Sequence, residues 1–379
     1  MGRPGGIVLS DRQRLAWLRL IRSDDVGPAT FRDLINHCGT AEAAIEMLPE
    51  LSRRGGAARA IKVCSKDDAE RELDIAERFG ARFIGIGEPD YPPLLRSIDA
   101  APPVIAAKGS SDVVAMPSVA IVGARNASIA GCKFAARLAR SIAADGYAIA
   151  SGLARGIDAA AHHASLETGT IAAMAGGLDK PYPPENLLLY QDICAGQGLA
   201  ISEMPFGWEP RARDFPRRNR LIAGISHGLI VVEAAHRSGS LISARRAADF
   251  GRLVFAVPGS PLDPRCHGTN ALLKDGAIVT TEARDVLDAL APVVGRDREP
   301  PALVEESEIE GEAFQAPPSE DDRAIVLAAL GPTPVDIDDI IRHTGLSAPS
   351  VYLILLELDL AGRLHRHAGG RVGLDVPDA

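Results

Sequence analysis

Val119-Ala120-Ile121-Val122-Gly123-Ala124-Arg125-Asn126-Ala127-Ser128 is a run of four apolar residues closed by a glycine, an arginine and a serine, with an apolar helical stretch at 134–144 behind it. Consecutive apolar residues suit a strand buried on both faces, and such strands belong to parallel sheets whose crossover helices cover them. A glycine at the strand's end lets backbone approach an anion. The helix that follows offers unpaired N–H groups and the positive end of its dipole, and Arg125 adds a planar cation. The segment therefore predicts a strand, a phosphate-binding turn and a helix.

Five further strands of this kind are expected at 148–150, 170–174, 200–201, 229–232 and 253–257, with amphipathic helical stretches between them. The alternation predicts an α/β domain built on an extended Rossmann-like parallel sheet covered on both faces, with its ligand at the strands' carboxyl ends. The turn is not a dinucleotide fingerprint. GxGxxG is absent, and the second strand ends in Ser151-Gly152 rather than in the acidic residue that would hold an adenosine ribose. A second anion nest is expected at Ser238-Gly239-Ser240-Leu241, where hydroxyls, a glycine and a helix start converge after the strand that ends near Glu233.

Residues 211–222, Arg-Ala-Arg-Asp-Phe-Pro-Arg-Arg-Asn-Arg-Leu-Ile, carry five arginines against one aspartate. Guanidinium forks match phosphates, and an aromatic ring such as Phe215 among them can stack on an unpaired base, a combination suited to a single strand of nucleic acid. Asp158 and His162 stand at i and i+4 of one expected helix, beside His163, while Glu203 and Glu233 end separate strands. These are candidate acids, bases or metal ligands, or carboxylates that orient arginines. No Walker lysine, HExxH or nucleophile elbow accompanies them, so no catalytic residue, metal ligand or cofactor site is expected.

The flanks read differently. Residues 10–86 are expected to form an N-terminal helical domain, its first two helices joined by Val26-Gly27-Pro28-Ala29 in the manner of a helix-hairpin-helix. Residues 321–375 are expected to form three short helices and a hairpin around Gly369-Gly370, a winged-helix-like domain. Its third helix, at 347–361, contains no Arg or Lys but has Glu357 and Asp359, which argues against a groove-reading role. The central domain is placed at 87–291, and 292–320 at an acidic linker.

That linker explains the net charge of −9, since ten acids and only two arginines fall between Pro292 and Asp322. The rest of the chain is close to neutral, so global charge does not decide the ligand. With 46% hydrophobic and 24% charged residues and no run of roughly 18 apolar residues, the 379-residue chain is expected to be soluble, without a membrane partner. Nothing at its start resembles a secretory leader, and the 5 cysteines are widely spaced, so a cytoplasmic, reduced protein is expected.

Taken together the motifs resemble the DprA/Smf family of DNA-processing proteins. The residues that carry the likeness run in order from Ile121-Val122-Gly123-Ala124-Arg125-Asn126-Ala127-Ser128, through Ser151-Gly152-Leu153-Ala154-Arg155-Gly156-Ile157-Asp158 with His162 and Gly176-Gly177-Leu178-Asp179, to Tyr182-Pro183-Pro184-Glu185-Asn186. They continue with Ser202-Glu203, Phe215-Pro216-Arg217-Arg218-Asn219-Arg220-Leu221-Ile222-Ala223, Ser238-Gly239-Ser240, Val257-Pro258-Gly259-Ser260 and Gly268-Thr269-Asn270. The resemblance implies a non-enzymatic protein that binds single-stranded DNA and helps load RecA recombinase in natural transformation or recombination, commonly as a homodimer through the Rossmann-like domain. Carried over residue by residue, it implies a strand-binding pocket of Gly123, Arg125, Ser128, Ser151, Gly152, Phe215, Arg217, Arg218, Asn219, Arg220, Ser238, Gly239 and Ser240. The alternative is a nucleotide-binding enzyme of the phosphoribohydrolase type, whose pocket also joins glycine-rich nests to Arg and Glu. A transcription regulator that reads duplex DNA through its C-terminal domain is a further alternative.

Overall fold

A computed structural model of the protein describes residues 8–294, 318–367 and 369–374. The expected acidic linker falls mostly at 295–317, outside the described residues. The chain forms two compact units: Arg71 onward through the central sheet makes one, and the first helices together with the C-terminal helices and strands make the other.

Helices α1 (Asp11–Ile21), α2 (Pro28–Cys38) and α3 (Ala41–Arg54) open the chain. Local chemistry sets their starts. Ser10 and Gln13 form a capping box on α1, Pro28 occupies the first turn of α2 after Gly27, and the Thr40 side chain caps α3. Helix α4 (Lys66–Phe79), with no run of apolar residues in its sequence, leads into the sheet unit.

The sheet unit contains β1 (Arg82–Gly85), α5 (Pro93–Arg96), β2 (Val104–Gly109), β3 (Ser118–Val122), α6 (Ile129–Ala144), β4 (Ala148–Ser151), α7 (Ile157–Ala164), β5 (Thr170–Ala173), α8 (Leu187–Ala195) and β6 (Leu199–Ser202). It continues with α9 (Asp214–Gly224), β7 (Gly228–Val231), α10 (Gly239–Asp249), β8 (Leu253–Ala256), α11 (His267–Lys274), β9 (Ile278–Val279) and α12 (Ala283–Leu290). The strand order is β1-β2-β6-β5-β4-β3-β7-β8-β9. All six expected strands are present, and the pairs from β6 to β9 are parallel. The sheet departs from the expectation at one edge, where β2 runs antiparallel to both β1 and β6. The sheet thus begins at Arg82, inside the stretch expected to be helical.

Period-two alternation divides the core between the two faces. Val119 and Ile121 of β3 pack with Leu138 and Ile142 of α6 and with Val286 and Leu290 of α12. Ala120 and Val122, on the other face, pack with Leu221 and Ile222 of α9 and Ala244 and Ala247 of α10. From β3 the chain builds outward through β4 in one direction and, later, through β7 in the other. The strand order therefore reverses at β3 and β7, and the crevice at their carboxyl ends is where open α/β sheets hold ligands.

The second unit adds α13 (Glu320–Ala329), β10 (Val335–Asp336), α14 (Ile337–Thr344), α15 (Ala348–Leu360), β11 (Leu364–His367) and β12 (Arg371–Leu374). Val326, Ile340, Val351, Ile354, Leu355, Leu358, Leu364 and Val372 form its winged-helix core. Helix α15 is also the packing partner of α2 and α3. Thr30 donates to Asp359 at 2.9 Å, Ser52 donates to the Leu360 carbonyl at 3.2 Å, and Arg366 bridges Asp33 and Asp359 at 2.8 and 2.9 Å. Arg323 grips the buried Glu357 with two nitrogens at 2.7 and 2.8 Å. The helix in the groove-reading position is thus enclosed within its own unit, which is why its sequence is apolar nearly all round.

Candidate functional site

The loops after β3, β4 and β5 and the start of α9 surround a cavity of about 100 Å³ lined by Arg125, Asn126, Gly152, Ala154, Arg155, Tyr182, Pro183, Phe215 and Arg218. Arg218 is its buried cation. The side chain is 5% exposed, Nη1 reaches the Ala173 carbonyl at 3.3 Å, and Nε has no acceptor. Gly152 makes room for it, because a Cβ there would lie 1.4 Å from Arg218 Nη1. Burial lowers the Arg218 pKa to about 10, the Asp158 carboxylate opposing that shift and Arg125 adding to it. A guanidinium at that value stays cationic at neutral pH.

Phe215 ties the cations together. Its ring carries the Arg125 guanidinium 4.9 Å from the centroid and that of Arg218 at 5.8 Å, and meets the Tyr182 ring edge-to-face at 5.7 Å. Arg155, at the rim, is ion-paired with Glu185, both more than half exposed. Arg125 has no carboxylate partner among the described residues.

Asp158 and His162 serve the frame of this cavity. Asp158 accepts the Gly152 N–H at 3.1 Å, and its carboxyl is pushed up by burial, against the opposing pull of Arg218 and its hydrogen bonds to the 151–154 loop. His162 Nε2 accepts the Leu153 N–H at 3.3 Å while Nδ1 meets the Thr170 hydroxyl at 2.7 Å, and Thr170 donates onward to the Ile149 carbonyl at 2.9 Å. Nδ1 is thereby the protonated nitrogen of a neutral ring. Burial, with the Arg218 and His163 charges, brings the His162 pKa down to about 3. Both side chains are spent on shaping the β4–α7 loop, where Leu153 and Gly156 hold positive φ of 59° and 74°. Among the described residues, no group of His, Cys, Asp and Glu is placed to hold a metal ion.

The anion nest expected at the start of α6 is closed by the protein itself. Glu233 accepts the Ser128 N–H at 2.9 Å and the Ser128 hydroxyl at 2.5 Å, and its carboxylate lies against Gly131. A carboxylate occupies the position where a Rossmann nucleotide site would seat a phosphate. Gly123 has a packing role, because a Cβ there would meet Ile157 at 2.6 Å. Ser151 is fully buried and donates to the Ile121 carbonyl at 2.6 Å.

The arginines of α9 have separate fates. Arg217 and Arg220 share the buried Glu203, Arg217 from a half-exposed position at 3.0 Å. Arg220 is held further by the Ala100 carbonyl and forms an internal strut. Asn219 donates to the Gly239 carbonyl at 3.2 Å and so fixes α9 to the start of α10, where Ser238 caps the helix and its hydroxyl meets that of Ser240 at 2.7 Å. Of the residues expected in the pocket, the cavity gathers Arg125, Gly152, Phe215 and Arg218. It also gathers Asn126, Ala154, Arg155, Tyr182 and Pro183, which belong to the family-like motifs but not to the expected pocket.

A Rossmann-like sheet with arginines at its switch point, accompanied by a helix-hairpin-helix and a winged helix, defines a DNA-handling protein. A family model described as DNA recombination-mediator protein A matches residues 82–291, a DprA-like N-terminal HHH domain matches 11–74 and a DprA winged helix domain matches 310–370. Protein Smf of Synechocystis is 32% identical over 96% of this chain and 99% of its own length. DNA processing protein DprA of Streptococcus pneumoniae is 44% identical over 52% of this chain and 70% of that protein. The X-ray structure of the pneumococcal protein superposes with a TM-score of 0.60 at 33% identity, covering 75% of this chain and 98% of that one. A Helicobacter pylori DprA structure, described for its single-stranded DNA binding mode, gives a TM-score of 0.52 at 28% identity, over 56% of this chain and 96% of that one. The chain belongs to the DprA/Smf family. Its role is that of a DNA-processing recombination mediator, not an enzyme. No helix among the described residues is long and apolar enough to cross a membrane.

Proposed function

We propose that the protein binds single-stranded DNA at the β3–β7 crevice and, as a cytoplasmic homodimer formed through its Rossmann-like domain, helps load RecA onto that strand in recombination or natural transformation. The observation that carries the reading is the pairing of guanidiniums with aromatic rings in one cavity, next to a helix start already filled by Glu233. With the backbone nest closed, phosphates must be held by side chains, chiefly Arg125 and Arg218, with Arg155 and Arg217 at the margins. Phe215 and Gly152 shape that grip, and Asn219, Ser238, Gly239 and Ser240 extend it toward α10. Exposed apolar side chains of the sheet unit, Ile242 on α10, Leu262 after β8 and Val279 on β9, are the contacts we assign to a second copy.

Such binding is nearly blind to sequence and sensitive to salt. If about three to five phosphates are neutralised, log affinity against log salt should slope on the order of −2 to −3.5. The test is fluorescence anisotropy with a labelled single strand across a salt series, competed by duplex DNA and by nucleoside monophosphates. Binding that neither competitor displaces supports the reading. Displacement by a monophosphate would transfer the crevice to the phosphoribohydrolase alternative.

A further inference from the structure

We infer that Tyr182 is the surface on which an unpaired base stacks, with Phe215 reserved for holding the guanidiniums. The inference rests on the single-strand reading and adds to it a residue and a division of labour between two rings. Phe215 is only partly exposed and already carries Arg125 at 4.9 Å, with Arg218 at 5.8 Å. Its π surface is committed before any ligand arrives.

Tyr182 differs on each count. It lines the same cavity, is 45% exposed, has no cation on its ring, and its hydroxyl has no partner among the described residues. It is also held in place. Pro183 beside it is buried, and Asn186 donates to the Leu153 carbonyl at 2.8 Å, fixing the Tyr182 loop to the loop that shelters Arg218. A fixed, amphipathic ring loses little entropy on binding and offers any base the same π face, so it suits a site that does not read sequence. The edge-to-face contact at 5.7 Å and 66° leaves no slot between the rings, since a base sandwiched between parallel rings needs about 7 Å between their centroids. A base therefore stacks on the outer side of Tyr182, while the adjoining phosphate meets Arg125 and Arg218.

The experiment compares wild type, Tyr182→Ala and Tyr182→Phe for anisotropy binding to two strands, one with bases and one wholly abasic. It adds photocrosslinking of a 5-iodouracil-substituted strand to wild type, read by peptide mass spectrometry. Tyr182→Ala should weaken binding to the base-bearing strand between about fivefold and a hundredfold, leave abasic binding unchanged, and be rescued by Tyr182→Phe. The crosslink should fall on Tyr182. Unchanged affinity in Tyr182→Ala, an equal loss on both strands, or a crosslink on Phe215 would overturn the assignment while leaving single-strand binding intact. Failure of the wild type to bind the base-bearing strand would instead remove the reading beneath it.

Discussion

Helices α9 and α15 are similar in length, each lies in a different unit, and each buries a charged residue, Arg218 in one and Glu357 in the other. Glu357 is answered in full by the two-pronged Arg323. Arg218 has a carbonyl at 3.3 Å, a neighbouring Asp158 and an Nε without an acceptor, at the wall of a cavity. A buried charge with all its partners in place is architecture, whereas one left with spare donors beside open space is prepared for an anion from outside. The same contrast separates the phosphate nest expected at Ser128 from the cavity: Glu233 satisfies the start of α6 internally, and the arginines around Phe215 carry the unspent positive charge.

The sharpest way to break the contrast is to wedge α15 from its neighbours. Gly55 has an ordinary φ of −67°, so any side chain is tolerated by the backbone, but a Cβ there would sit 1.8 Å from the Glu357 carbonyl oxygen. Neither partner is a side chain that can rotate away. Gly55→Val should destabilise this unit by about 3 kcal/mol, the upper end for overpacking, measured by denaturant unfolding with hydrogen exchange on the α15 amides. Affinity for a single strand should not change. A parallel loss of affinity would show that α15 or its surroundings also meet DNA, and the division between the helices would fail.

Gly152→Ala makes the matching test in the other unit. Its Cβ would displace the Arg218 guanidinium without removing any charge, so single-strand affinity should fall about ten- to a hundredfold, the worth of one or two charge-assisted hydrogen bonds. Anisotropy at constant salt measures it. Wild-type affinity in this variant would mean that Arg218 belongs with Glu357, as a structural charge.

The legibility of these features in the sequence follows from how local their causes are. Six strands could be read because each is a short apolar run bounded by glycine or polar residues, as in Val119-Ala120-Ile121-Val122-Gly123. The outer strand Arg82–Gly85 was hidden behind the helical α4, and Val104–Gly109 by the pair of prolines before it; their pairing with each other and with β6 is set by tertiary contact. The site divides the same way. Arg125, Phe215 and Arg218 stood out by residue type, but no local pattern revealed that Glu233, over a hundred positions on, would fill the nest at Ser128. Nor could spacing place Tyr182 against Phe215 or pair Arg220 with Glu203, because both depend on how the β5 and β6 loops return over α9.

The smallest expected effect concerns a rim cation that is partly spent. Arg155 lines the cavity but is paired with Glu185, and because both side chains are more than half exposed the pair contributes little to stability. A phosphate approaching Arg155 must compete with that carboxylate, so removing the charge should help binding more than it harms the fold. Glu185→Gln should tighten single-strand binding about two- to fivefold at low salt, with the gain vanishing as added salt screens the rim. The Tyr182 loop keeps its anchor through Asn186, so base stacking should be undisturbed and the abasic strand should gain as much as the base-bearing one. A gain confined to the base-bearing strand would instead mean that Glu185 governs the position of Tyr182. The rim would then act on bases, and the separation of phosphate-holding from base-holding residues would have to be redrawn.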